Sequence, residues 1–275
     1  MYNAKQIVDY AYNYLLERIP GENEADRRNL LDKALQPIEK HSKLENLNDA
    51  YYKLLCSAIN RNHMENTIGN IKELKQYLFD FDPKKVFDEY KNWEEICDVF
   101  IEKHDKGGFI NKEKGNSHWV MFCRSAYDGA KFLSKFKDLD DLKNYINEYL
   151  KYKEVNEELY VENMIKLVYE ISEQIIGFGF ALTCDFIKEH FSTDFIKPDT
   201  HIKEIFISLG LCPKNANDIE IFKLVYKFSK EAGITPYSVD KLFWIIGSGR
   251  FDILETTIKT NKDEFIQNIK RDLNL

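Results

Sequence analysis

An all-α protein is predicted, and three features of the 275-residue chain predict it. Apolar residues recur with a period of 3.6 almost everywhere, and no stretch shows the period of 2 that marks a half-buried strand. No Pro/Gly/Ser-rich linker interrupts this pattern, and no internal repeat is found. At 44% hydrophobic and 14% aromatic residues, the chain can bury one large core or two modest ones.

In chain order, helices are expected over 4–18, 25–39, 48–62, 66–79 and 83–104, the last with a break near Lys91. They continue over 118–134, 139–152, 157–175, 180–191, 201–210, 217–232, 238–247 and 261–272. Gly107-Gly108 and the polar run Asn111 to Asn116 form the longest obvious loop. The helix at 180–191 starts directly after Gly179 and carries Phe180, Ala181, Cys184 and Ile187 at helical spacing. The helix at 201–210 follows Asp199-Thr200, a good N-cap, and carries Ile202, Ile205, Phe206 and Leu209. Aromatic residues in Pro236 to Trp244 read as a buried helix face, and Gly247-Ser248-Gly249 as a helix C-cap rather than a phosphate loop.

Composition removes several function classes. The net charge of −7 argues against a nonspecific nucleic-acid binder, which carries a basic excess. Five scattered cysteines (Cys56, Cys97, Cys123, Cys184, Cys212) form no Cys-x-x-Cys pair and read as buried free thiols. The six histidines show no metal-ligand spacing with one another or with the cysteines, so no metal site is expected. No run approaches a membrane span, and the first residues lack the apolar stretch and cleavage site of a signal peptide, so a soluble, cytoplasmic chain, a monomer, is the expectation.

The chemistry concentrates between Ile175 and His201. Gly177-Phe178-Gly179 lies between two helices, and glycines supply the backbone angles that so tight a reversal demands. Because a helix starts right after Gly179, amides there point outward at the positive end of the dipole, a setting that suits a phosphate and grips a nucleic-acid backbone without reading its bases. A plain helix-helix connection would leave the same trace. Downstream stands Lys197-Pro198-Asp199-Thr200-His201, in which Asp199 serves equally as a simple helix cap.

Together these residues resemble the helix-hairpin-helix, Gly-Pro-Asp superfamily of base-excision DNA glycosylases, whose members carry a Gly-x-Gly hairpin and a downstream aspartate in a Val-Asp-Thr-His-like setting. The resemblance covers roughly residues 48 to 250 and is specific only at the hairpin and its aspartate. It implies a two-lobed helical fold with a cleft between the lobes: residues 1–47 with about 212–275 as the terminal lobe, about 48–151 as the central lobe, and about 157–211 bordering both. It also implies a base-excision repair enzyme that flips a damaged or mispaired base out of duplex DNA and hydrolyses its N-glycosidic bond.

Residue by residue, the resemblance makes Asp199 the catalytic carboxylate and Gly177, Gly179, Phe180 and Ala181 the contacts to the DNA backbone. Asn62 or His63, with Arg61 nearby, would fill the gap left by the flipped base, although Arg61 to Met64 also reads as a solvated helix end. His201 and Trp244 would face the cleft. The lyase branch places a lysine two residues after the second hairpin glycine, where this chain has Ala181, so a monofunctional hydrolase is expected. No iron-sulfur cluster is expected, because no cysteine follows Cys212, while a monovalent cation at the hairpin is implied. Two other readings stay open: a helix-hairpin-helix DNA-binding protein without chemistry, favoured by Phe178, Phe180 and the acidic charge, and an all-α protein unrelated to DNA.

Overall fold

The computed structural model describes residues 3–36, 43–61, 64–105, 107–253 and 256–275. The protein is predominantly helical, with fourteen α-helices among these residues. It divides into two compact units: Met1–His41 with Ser192–Leu275, and Ser42–Phe191. The segment 157–211 therefore parts at Phe191, its first two helices belonging to the central unit and the rest to the terminal one.

The terminal unit opens with α1 (Ala4–Leu16) and α2 (Glu24–Ala34), capped by Asn3 and Asn23 side chains that accept amides of their first turns. The central unit contains α3 (Leu47–Ile59), α4 (Met64–Ile68), α5 (Pro83–Glu89), α6 (Trp93–Lys103), α7 (His118–Leu133), α8 (Leu139–Leu150), α9 (Glu157–Ser172) and α10 (Phe180–His190). Terminal-unit residues resume with α11 (Thr200–Ser208), α12 (Asp218–Ala232), α13 (Pro236–Ser248), a hairpin of β1 (Arg250–Ile253) and β2 (Thr256–Lys259), and α14 (Lys262–Leu273).

Three elements depart from the sequence expectation. The helix expected over 66–79 is only α4 and a short 3-10 turn at Ile71–Leu74, because Gly69 adopts φ 81° and Asn70 caps a new start. A second 3-10 turn at Phe79–Phe81 has φ of 48°, 57° and 58°, a left-handed turn that costs roughly 1–2 kcal/mol per residue. Ring contacts hold its two ends, Phe79 on Tyr90 at 5.6 Å and Phe81 on Tyr52 at 5.0 Å. The third departure is the β-hairpin, with Phe251 paired to Ile258; the polar-apolar alternation of Arg250-Phe251-Asp252-Ile253 lasts only four residues.

In the central unit α7 is the spine: eleven of its sixteen residues are buried, and α3, α4, α5 and α6 pack on it. Gly129 lets α3 approach, since a Cβ there would stand 2.9 Å from Leu54, and the buried Tyr51 hydroxyl donates to the Ala126 carbonyl at 2.7 Å. In the terminal unit Phe206, Phe228, Phe243 and Phe265 form a chain of ring contacts at 5.2–6.3 Å that ends on Tyr14 of α1. Each such buried ring contributes roughly 1.5–3 kcal/mol. Tyr14 also bonds both the amide and the carbonyl of Asn261, tying the first helix to the start of the last. Tyr237 and Phe243 are fully buried, so the aromatic stripe of α13 is chiefly core.

Candidate functional site

The hairpin between α9 and α10 belongs to the central unit, and three α7 side chains hold it. Ser125 Oγ donates to the Ile176 carbonyl at 2.9 Å, Asp128 Oδ2 accepts the Ile176 amide at 3.0 Å, and Met121 lies beneath Gly177. Phe178 is fully buried at the bend, with its ring 6.3 Å from Phe186. The Thr183 hydroxyl reaches back to the carbonyls of Phe178 and Gly179 at 3.3 and 3.2 Å.

The two glycines serve different ends. Gly177 has φ +85°, and a Cβ there would stand 2.8 Å from Met121 Cε and 3.0 Å from Ser125 Oγ, so both backbone and packing demand it. Gly179, the N-cap of α10, has φ −71° and ψ −178°, extended geometry that any residue adopts. A Cβ on it would meet nothing within 4 Å, and α10 has no side-chain cap. The expectation that the turn needs both glycines for its angles is thus corrected: only Gly177 is required by the fold. Phe180 and Ala181 follow, both half-buried, with the Phe180 ring 5.5 Å from Tyr169.

α7 also brings cations that the local sequence of the hairpin lacks. Lys131 and Arg124 lie close enough to Asp128 to act on its charge, and Lys135 Nζ bonds Gln174 Oε1 just before the turn. Burial pushes the Asp128 carboxyl above the usual range, while the Ile176 amide, Lys131 and Arg124 pull the other way. These residues stand some fifty positions upstream, so no local sequence signal could have attached them to the hairpin.

Asp199 belongs to the terminal unit and caps α11, with Oδ1 accepting the Ile202 amide at 3.1 Å. Its own amide donates to the Lys197 carbonyl at 2.7 Å, an arrangement stiffened by Pro198. Oδ2 has no hydrogen-bond partner among the described residues. His201 packs against α13, where a Cβ on Gly247 would stand 2.6 Å from His201 Cβ, and its Nδ1 is buried without a hydrogen-bond partner. Trp244, on the same helix, is half-buried, edge-on to Phe251 at 6.3 Å and under Lys241 Nζ at 5.1 Å. The structure thus brings His201 to the helix that carries Trp244.

Of the residues expected at the flipped-base gap, Arg61 is half-buried just past α3, while Asn62 and His63 lie outside the described residues. The lysines of α10 and α11 are both paired. Lys188 Nζ lies 3.4 Å from Asp185 and 3.2 Å from Glu189 in the interior, and Lys203 is bonded to Asp218. His190, also buried, has an unpartnered Nδ1; burial pulls its imidazole down to about 4, helped by Lys53 and opposed by Asp185.

Among the described residues no group of three or more His, Cys, Asp or Glu could hold a metal ion, and no helix is long and apolar enough to cross a membrane. The carbonyls of Ile176, Phe178 and Gly179 accept hydroxyls from Ser125 and Thr183. No protein-family model, no curated protein and no solved structure matches this chain.

Proposed function

We propose that the protein is a monofunctional DNA glycosylase whose lobes are the two units, hydrolysing the N-glycosidic bond of a damaged or mispaired base flipped out of duplex DNA. The observation that carries this reading is Gly179: a glycine demanded neither by φ nor by the chain's own packing, at the N-terminus of a helix that has no side-chain cap and whose entry turn is held at Ile176 by Ser125 and Asp128. Missing side-chain bulk at the positive end of the α10 dipole suits the close approach of a phosphate. Contact through a few amides, with Lys131 and Lys135 near, accommodates the acidic total charge because only the local field acts at such short range.

A base inside a duplex cannot be reached, so the nucleotide is extruded at a cost of a few kcal/mol, which damage or mispairing lowers. The glycosidic bond then breaks with positive charge developing on the sugar. Asp199 supplies the stabilising carboxylate: the Ile202 amide fixes Oδ1, and Oδ2 is left to face the cation or orient water. Strand cleavage by a Schiff base needs a free amine. Ala181 has none, while Lys188 and Lys203 are held in ion pairs. The product is therefore an intact abasic site.

One observation favours a second reading, a DNA-binding protein without chemistry: the bond from Asp199 to the Ile202 amide is all that a purely structural cap would make. A panel of duplexes, each with one damaged or mispaired base, decides between them. Base release is expected from at least one; salt-sensitive duplex binding with no release from any would establish the second reading.

A further inference from the structure

On α10, six residues beyond Gly179 and so about 9 Å along the helix, a carboxylate is buried. Asp185 is 5% exposed, and both of its oxygens are engaged. Oδ1 faces Lys188 Nζ at 3.4 Å, and Oδ2 accepts Asn60 Nδ2 at 3.0 Å. Asn60 is the C-cap of α3 and the last residue before the chain turns off that helix. Lys188 is itself 6% exposed and also meets Glu189 at 3.2 Å.

Apolar residues in place of the whole buried pair, at 185 and 188 together, would hold α10 against α3 as firmly, because replacing a buried ion pair by well-packed hydrophobic groups is often neutral or stabilising. What the ionic arrangement adds is direction. A carboxylate pinned at both oxygens admits one position of the Asn60 amide, whereas apolar side chains slide and repack. The network therefore fixes the end of α3 relative to the helix whose other end forms the hairpin.

We propose that Asp185, acting through Asn60, is a positioning residue for base extrusion, locking the C-terminal end of α3 in register with the DNA-gripping end of α10. This rests on the glycosylase reading, in which Arg61, the residue that follows Asn60, stands at the gap left by the flipped base. Grip and extrusion then belong to one rigid body, so DNA held at Gly179 meets the end of α3 at a set distance. Loss of the link leaves the grip intact and makes extrusion inefficient.

The test uses the full chain, a duplex carrying the base released in the panel, and 2-aminopurine beside that base as a fluorescent reporter of extrusion. Asn60→Ala removes the link while leaving Asp185, Lys188 and Glu189 paired. Duplex affinity and melting temperature are expected to stay close to the parent, with affinity within about twofold, while the fluorescence rise and single-turnover release fall together, about tenfold. The exchange Asn60→Asp with Asp185→Asn rebuilds one Asn-to-Asp bond in reverse and is expected to recover most of both. An Asn60→Ala variant with unchanged release and fluorescence, or one that loses affinity, release and melting temperature in parallel, overturns the proposal. A parent that binds no duplex and releases no base overturns the glycosylase reading and this one with it; an active parent beside an unaffected variant overturns this one alone.

Discussion

The hairpin and the Asp199 turn are built on opposite principles. At Asp199 everything is local: Pro198 stiffens the approach, the carboxylate caps its own helix, and its bond partner is three residues away. At the hairpin almost nothing is local, since Ser125, Asp128 and Met121 come from a helix some fifty residues earlier and supply the floor of the turn. A local device can be moved by one substitution without disturbing the fold. A device assembled from distant parts couples its geometry to the core, and the two glycines show how finely that coupling is divided.

The largest expected effect falls on the local side. Asparagine caps a helix as well as aspartate does, so Asp199→Asn should keep the melting temperature while lowering base release about a thousandfold, with duplex affinity changed little. Single-turnover release and thermal unfolding on the same sample check both halves. Retention of most activity would reduce Asp199 to a cap and erase the contrast.

Next comes the glycine pair. Gly177→Val must take φ +85° and place its branch against Met121, and a loss of about 3 kcal/mol is expected in denaturant unfolding. The Cβ of Gly179→Val would have no atom of the chain within 4 Å, so stability should fall by no more than about 1 kcal/mol, the cost of a poorer helix cap; duplex affinity should fall about tenfold for every sequence alike. Equal destabilisation by both would mean that the second glycine serves packing after all.

A third effect, in the central unit, depends on pH. His190 is held neutral down to about 4, against an ordinary 6.5, chiefly by burial and with Lys53 adding to it. Between these values the unfolded chain binds a proton that the folded one refuses, so stability is complete above about pH 6.5 and falls by about 3 kcal/mol as pH drops to about 4. His190→Leu should flatten that slope in urea unfolding followed across the range. The smallest effect belongs to the cations of α7: Lys131→Ala and Lys135→Ala should each weaken duplex binding a fewfold and reduce the slope of log affinity against log salt by about one. An unchanged slope would remove them from the DNA contact.

The sequence alone determined what depends on neighbours along the chain. Helix periods, the break near Lys91 between α5 and α6, the Gly-x-Gly reversal and the capping position of Asp199 are all written within a few residues. Tertiary structure decided the rest. Gly177 and Gly179 look alike in sequence, yet only the side chains of α7 make one indispensable to the fold and leave the other open. Lys188 is buried only once α10 is packed, and there it pairs with Asp185 and Glu189. The alternation of Arg250 to Ile253 lasts only four residues, and it is the pairing with β2 that makes the β-hairpin. Local patterns record backbone preference, whereas burial and ion pairing come from residues far apart in sequence, and these were fixed only when the chain closed on itself.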